Sequence, residues 1–418
     1  MPIALWKQDH ELGLGSRDGR REMIRRKAAL IGTYVGVHVA LLFVNAPAGA
    51  QARTSISVAA VGAPVAVIAG PGGSNSSGFV KLSGAGTLPD HSIVVADEGR
   101  AQVYRFDSSG AFEGIIGRKG NGPGEYREID GIHLRRDTIV IIDGRAAVHL
   151  YLTPGKWLLS RRLPTVDGFI VNPAVGLLEG GRFLLRMNPV TPPIPSSVVS
   201  EKVHQVMTWD GSSAPKPLAV IPVSRQHRHP STRASYLTLF SPLTSYAFAG
   251  DRVCYAYSRE YRVRCLDAKG RSHDLVVEQR VGATVTAREV AAARRVRAGY
   301  DGSGHNKYAE PSLREHRERV AQQAAAESVH PVMGEILAAA DGAIWVRQYT
   351  PAIGMADPPR HFVDEPSTWV EYGTDGKRKR AFRVPARHWV TAIDDRRIVA
   401  IVRDEDDVEE VRIFALPP

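Results

Sequence analysis

The sequence predicts an all-β fold, a six-bladed β-propeller of four-stranded antiparallel blades whose last blade is closed by the N-terminal strand. Three observations predict it. A unit of short apolar strands occurs twice in succession: residues 92–97, 103–107 and 111–116 are followed in the same order by 138–143, 148–151 and 157–159. The interval from Ile93 to Ile139 is 46 residues, which suits one propeller blade. Runs equivalent to the one at Ile93 recur near Ile139, Phe183, Val253, Ile344 and Ile398. Finally, the last unit offers three strands before Pro417 and Pro418, which cannot extend a ladder. The strand-like segment 57–67 has no following partner, so it is expected beside residues 408–414, covering an edge that would otherwise invite aggregation.

The 418-residue chain begins with a segment to be set aside from fold reasoning. Arg25, Arg26 and Lys27 precede an apolar run from Ala28 to Val44, and small residues follow as far as Ala52. That is the layout of a secretory signal, with Met23 as an alternative start and cleavage near Ala50 or Ala52. The competing reading is an uncleaved membrane anchor, which Gly32, Gly36 and His38 disfavour. The expected organisation is a signal peptide over 1–50 and a single propeller domain over 51–418, exported to the periplasm or the extracellular space.

The remaining strands are read from alternating or continuous apolar runs between turn residues. The first two units open at 78–82 and 131–134. The third is weaker, with strands at 174–178, 182–187, 203–209 and 217–221 and a proline-rich insertion at 189–195. A polar loop at 225–230 carries His227 and His229, half of a metal-site pattern without a carboxylate or cysteine companion. The fourth unit covers 245–248, 252–257, 261–267 and 274–278. Residues 286–327 break the repeat: Thr286 with Glu289, and Ser312 with Glu315, have capping-box spacing ahead of alanine- and arginine-rich stretches. Two helices are expected there, joined by a loop at 300–306. The fifth unit covers 335–339, 341–347, 367–372 and 379–384, and the sixth covers 389–393, 397–402 and 408–414.

Without residues 1–50 the net charge is +7, and the basic residues are scattered rather than striped with aromatics. A nucleic-acid binder is therefore not expected. Cys254 and Cys265 are the only cysteines, and a turn at Arg259 and Glu260 would place them directly opposite one another. A cross-strand disulfide and two buried thiols both fit, because a one-residue slip separates the pair.

The loop Gly117-Arg118-Lys119-Gly120-Asn121-Gly122-Pro123-Gly124-Glu125-Tyr126 joined to the strand at 139–143, the Asp341-Gly342-Ala343-Ile344-Trp345-Val346 segment and the closing Asp404-Glu405-Asp406-Asp407-Val408 carry a resemblance. Over residues 75–418 the chain resembles a six-bladed β-propeller family of exported bacterial proteins, itself similar to NHL-repeat propellers. The resemblance implies a fold and an exported address. It implies no catalytic residue.

Gly117, Gly120, Gly122, Pro123, Gly124 and Glu125 could cradle an anion, but the loop lacks a P-loop ending and a following helix. Its expected role is structural: glycines at positive φ where one blade's outer strand passes to the next blade's inner strand, with Glu125 holding a turn through amides or an arginine. Asp97 and Asp143 close matching strands and could face a common rim, where a divalent cation is the one cofactor they would suit. Equivalent positions elsewhere carry Asn188, Ser258 and Tyr349 or Thr350, so turn-forming aspartates are expected instead. No convergent catalytic set is read from the sequence. The expectation is a non-catalytic, monomeric binding or scaffold protein whose protein, peptide or glycan ligand sits on the face bearing the helical insertion; the alternative is a metal-dependent hydrolase or lyase using the central funnel.

Overall fold

The computed structural model describes residues 56–72, 78–144, 147–189, 199–228, 234–299, 310–350 and 365–418. The signal segment, His229, the loop at 300–306 and all but the first residue of the proline-rich insertion lie outside them.

Two short strands, β1 (Val58–Ala60) and β2 (Ala66–Ile68), precede the first sheet. That sheet holds β3 (Leu82–Thr87), β4 (Ile93–Asp97), β5 (Gln102–Phe106) and β6 (Phe112–Ile116). A small parallel pair, β7 (Arg118–Lys119) and β8 (Glu125–Tyr126), leads to the second sheet: β9 (Gly131–Arg135), β10 (Thr138–Asp143), β11 (Ala147–Leu152) and β12 (Lys156–Arg162). The third contains β13 (Phe169–Leu177), β14 (Phe183–Pro189), β15 (Val199–Trp209), β16 (Lys216–Arg228) and β17 (Ser235–Leu237). The fourth contains β18 (Thr244–Ala249), β19 (Arg252–Tyr257), β20 (Tyr261–Leu266) and β21 (Ser272–Glu278). After helices α1 (Ala287–Ala298) and α2 (Pro311–Gln322), the fifth sheet is built from β22 (Met333–Ala338), β23 (Ile344–Gln348), β24 (Ser367–Tyr372) and β25 (Arg378–Val384). The sixth uses β26 (His388–Ile393), β27 (Arg397–Arg403) and β28 (Glu409–Ala415).

The second strand of a unit has neighbours on both edges, and packed sheets cover both its faces. Every residue of β4 is buried, as are five of the six residues of β10. Such strands read as continuous apolar runs rather than alternating ones, which is why Ile93 and Ile139 mark the repeat. The outer strands β6 and β12 are mostly exposed.

The apolar core lies between consecutive sheets. Ile116, Tyr126, Ile139 and Tyr151 join the first sheet to the second, and Leu184, Val206, Val253 and Leu266 join the third to the fourth. Tyr104 and Phe106 of the first sheet pack with Val399, Ile401 and Ile413 of the sixth, so the sheets return upon themselves. This is a β-propeller.

The N-terminal arm closes the ring differently from the expected single strand. Only β2 lies beside β28, antiparallel, with Ala66 opposite Ile413 and Ile68 opposite Val411. β1 instead runs parallel to β25 in the fifth sheet, Val58 opposite Ala381. Pro64 between them lacks an N–H and breaks the ladder, so the chain crosses from one sheet to the next. The fifth sheet therefore has five strands, one of them parallel, and the third also has five. Four antiparallel strands is thus too simple a description of these two. In the third sheet β15 and β16 continue to 11 and 13 residues, and residues 225–228, read as loop, are strand. An unbroken polar run concealed that strand, because β17 rather than core covers its far end.

Candidate functional site

The glycine loop passes from β6, the outer strand of the first sheet, to β9, the inner strand of the second. Glu125 Oε2 accepts the Gly122 amide at 2.8 Å, and Arg118 Nε donates to Glu125 Oε1 at 2.6 Å. Both contacts hold the carboxyl below its usual range, the Gly122 amide most strongly. Positive φ occurs at Gly117 (69°) and Gly124 (71°), but not at Gly120 or Gly122. Those two are small for reasons of space: a Cβ on Gly120 would lie 2.1 Å from Glu125 Oε2. Pro123 and Gly124 complete the turn between Gly122 and Glu125, closed by the Glu125 amide donating to the Gly122 carbonyl at 3.0 Å. The loop's amides thus serve its own carboxylate.

The carboxylates at the ends of β4 and β10 are latches. Asp97 is fully buried; it accepts the amides of Val80 (3.0 Å), Lys81 (3.1 Å) and Arg100 (3.2 Å), and Arg100 Nε lies 3.4 Å away. Asp143 accepts the amides of Arg127 (3.2 Å) and Glu128 (2.9 Å), just before β9. Each aspartate fixes the segment that enters its own sheet. Ser258 does the same in the fourth sheet, its Oγ accepting the Leu243 amide at 2.8 Å immediately before β18. The sequence marked Ser258 only as a missing acid. Its hydroxyl substitutes for one carboxylate oxygen, a role visible once the strands are paired.

His149 Nε2 stands 3.4 Å from Asp143 Oδ2, and its Nδ1 is 2.8 Å from Ser160 Oγ. Burial keeps the imidazole neutral, lowering its pKa despite Asp143. The Ser160 hydroxyl also receives the Trp157 indole N–H at 3.2 Å. These bonds fix β11 between its neighbours.

A different cluster could hold a cation: His91, Asp394 and Asp395 bring ligand atoms within 4.8 Å of one another. They stand on the turns after β3 and β26. Asp394 Oδ1 already accepts the amides of Arg396 (2.8 Å) and Arg397 (2.6 Å), and Arg396 pairs with Asp395 at 3.4 Å. Asp97 and Asp143 take no part in it.

Cys254 and Cys265 face each other across β19 and β20 and are joined as a disulfide. The register is the one a turn at Arg259 and Glu260 demands.

The helical insertion presents the largest departure from the repeat. α1 starts with the capping box of Thr286 and Glu289, while Gly299 at φ 98° ends it. α2 corrects the second capping-box expectation: Glu310 is the N-cap, without a side-chain cap bond, and Pro311 occupies the first turn. Proline supplies a helical φ and needs no partner there, so Ser312 falls inside the helix. Ala293 of α1 packs with Leu239, Phe240 and Ala324, and Arg294 donates to the Ala324 carbonyl at 3.1 Å. His330 adds a tie, its Nε2 being 3.1 Å from Glu289 Oε1. Between the helices lies a cleft of about 560 Å³ lined by Arg294, Arg295, Glu315, Glu318, Arg319 and neighbouring glutamines. Charges of both signs and amides line it. It can hydrogen-bond a polar chain.

At the propeller's centre the His133 ring of β9 meets the Phe248 ring of β18, centroids 4.6 Å apart. Phe248 fits there because β13 has Gly176 opposite it, where a Cβ would lie 1.9 Å from the ring. Burial, reinforced by Arg135, pushes the His133 pKa down to about 4. The second and fourth sheets thus touch through a neutral histidine.

A family model described as a 6-bladed beta-propeller matches residues 87–172, a segment that runs from the last residue of β3 into the start of β13 and includes the glycine loop. Among solved structures, the chain is similar to a member of the DUF4221 family from Bacteroides vulgatus, at 8% identity, covering 81% of this chain and 92% of that one, with a TM-score of 0.51. It is also similar to a Bacteroides fragilis protein described as exported, at 12% identity over 87% and 95% of the two chains, TM-score 0.46. A third is a gluconolactonase of Xanthomonas campestris, at 10% identity over 81% and 88%, TM-score 0.36. No curated protein matches. The family-model match and the first of these likenesses agree with the radial packing of sheets: the chain has the β-propeller fold. Among the described residues no helix is long and apolar enough to cross a membrane.

Proposed function

We propose that this chain is an exported, non-catalytic binding protein: a monomeric single-domain propeller of six blades, each built on four antiparallel strands, that recognises a protein, peptide or glycan through the α1–α2 insertion. The observation that carries the reading is the cleft between the helices. Its arginines, glutamates and glutamines suit hydrogen bonding to a polar chain, and it rests on a rigid scaffold, where recognition surfaces usually reside. The rim carboxylates are engaged with backbone amides, which weighs against the funnel-site hydrolase or lyase. The His133 and Phe248 contact at the centre weighs against it too.

Deleting residues 286–327 should abolish capture of the partner from the exported fraction while the β-rich circular dichroism persists. Retained capture removes the reading. A divalent cation that stays with the purified protein through dialysis would favour the hydrolase instead. Export itself predicts a mature N-terminus near Ala50 or Ala52; one at Met1 or Met23 in secreted material contradicts it.

A further inference from the structure

Arg186 sits on β14, at the face of the third sheet that packs on the fourth. Its guanidinium carbon lies 4.7 Å from the centroid of the Tyr246 ring on β18. Its Nε is buried and makes no hydrogen bond, while the guanidinium also donates to the neutral Tyr246 side chain. Among the described residues no carboxylate pairs with it. Lys202 of β15 is likewise partly buried without an acidic partner, and burial lowers its pKa.

A buried charge is ordinarily paired, because desolvation costs several kcal/mol that only a counter-charge and good hydrogen bonds offset. The Tyr246 ring supplies roughly 1–2 kcal/mol of cation–π attraction, too little for two cations. The strand-end position that is acidic in the first two sheets is neutral here. Where β4 and β10 end in Asp97 and Asp143, β14 carries Asn188, whose Oδ1 is buried without a partner. His204 of β15 completes the wall. Its ring is nearly parallel to that of Tyr246 (19°), and its Nδ1 lies 3.3 Å from the tyrosine hydroxyl. Burial together with Arg186 and Lys202 pushes its pKa down to about 3, so it contributes no further charge at neutral pH. The acid closest in sequence, Glu201, is exposed and accepts a hydrogen bond from Tyr257 at 3.0 Å.

We propose that the seam between the third and fourth sheets, where Arg186, His204 and Tyr246 meet, binds a small oxyanion through Arg186 and Lys202 beside the Tyr246 ring. A phosphate or a carboxylate supplies what the cluster lacks: negative charge, and acceptors matching the guanidinium's fork. The site is separate from the α1–α2 cleft and does not depend on what that cleft binds.

The test is thermal unfolding of the full exported chain in inorganic phosphate, citrate or chloride at matched ionic strength. The expected result is a midpoint that rises with phosphate or citrate above its value in chloride, since a ligand specific to the folded state stabilises by mass action. The stronger of the two identifies the preferred anion. Because such anions also stabilise proteins non-specifically, the variants decide. Arg186→Met should abolish the anion-dependent rise while leaving the chloride midpoint unchanged or higher, because a lone buried charge has been removed. Lys202→Met, at a more accessible position, should weaken the apparent affinity about tenfold, the effect of one charge-assisted hydrogen bond. It reports on the site even if Arg186→Met does not fold. No rise with either anion, or a rise unchanged in both variants, overturns the site.

Discussion

Asp97 shows how a single carboxylate can organise the start of a blade. Three amides converge on it, two from the segment entering β3, so its removal leaves three partly buried N–H groups without that acceptor. Asp97→Ala is expected to destabilise by about 3 kcal/mol, read as a lower urea midpoint with unchanged slope. Asp97→Asn, which keeps one acceptor, should lose less. The loss should be the same in calcium and in chelator; a calcium-dependent difference would return Asp97 to the role of cation ligand. His133 makes a pH-dependent contribution of the opposite kind. Its folded pKa, about 4, lies below the unfolded value near 6.5, so between these values the unfolded chain binds the extra proton. Stability is expected to fall by on the order of 2 kcal/mol as the pH drops from about 6.5 to 4. His133→Phe should flatten that part of the profile, and a profile unchanged by the substitution would show that other groups govern it.

At the scale of elements, legibility follows burial. β4 and β10 could be read because two-sided burial forces unbroken apolar runs. The β19–β20 register could be read because a two-residue turn and a cysteine pair constrain it together. By contrast β16 ends in an unbroken polar run, Ser224 to Arg228, and nothing local says that β17 will return to cover it. At the start of α2 two start signals, Ser312 with Glu315 and Pro311, lie one residue apart, and the proline sets the helix start. In the site, the glycine loop's own carboxylate was foreseeable from three-residue spacing. The Arg186, His204 and Tyr246 cluster was not, since it joins strands from two sheets. The hairpin offers a direct test. Linking Cys254 to Cys265 closes a short loop in the unfolded chain and should contribute about 3 kcal/mol. Replacing both with alanine should lower stability by about that amount, and free thiols titrating in the unreduced, unfolded protein would show that the bridge does not form.

For the whole molecule, the decisive contact is the one β2 makes with the last sheet. The sixth sheet receives β2 on its outer edge, with the Val65 amide donating to Ile413 at 2.7 Å. Ile68, only 2% exposed, enters the cluster that joins the sixth sheet to the first. Burying that one side chain contributes roughly 2–3 kcal/mol, and removing it uncovers an edge strand as well. The other half of the arm is different. β1 adds three residues in parallel to the outer edge of the fifth sheet, and its Val58 is 49% exposed. The two pairings therefore predict unequal consequences of shortening the chain. A protein beginning at Gly62 loses β1 with the partly buried Ile56 and Val61 at its ends but keeps β2, and should melt only a few degrees below the full chain, because about 1 kcal/mol shifts a domain of this size by only a degree or two. A protein beginning at Ser74 loses β2 as well, exposes β28 and part of the inter-sheet core, and should melt markedly lower or aggregate on heating. Equal melting of the Ser74 and full-length proteins would show that the ring closes without the arm, and a large loss already at Gly62 would place the critical contact on β25 instead of β28.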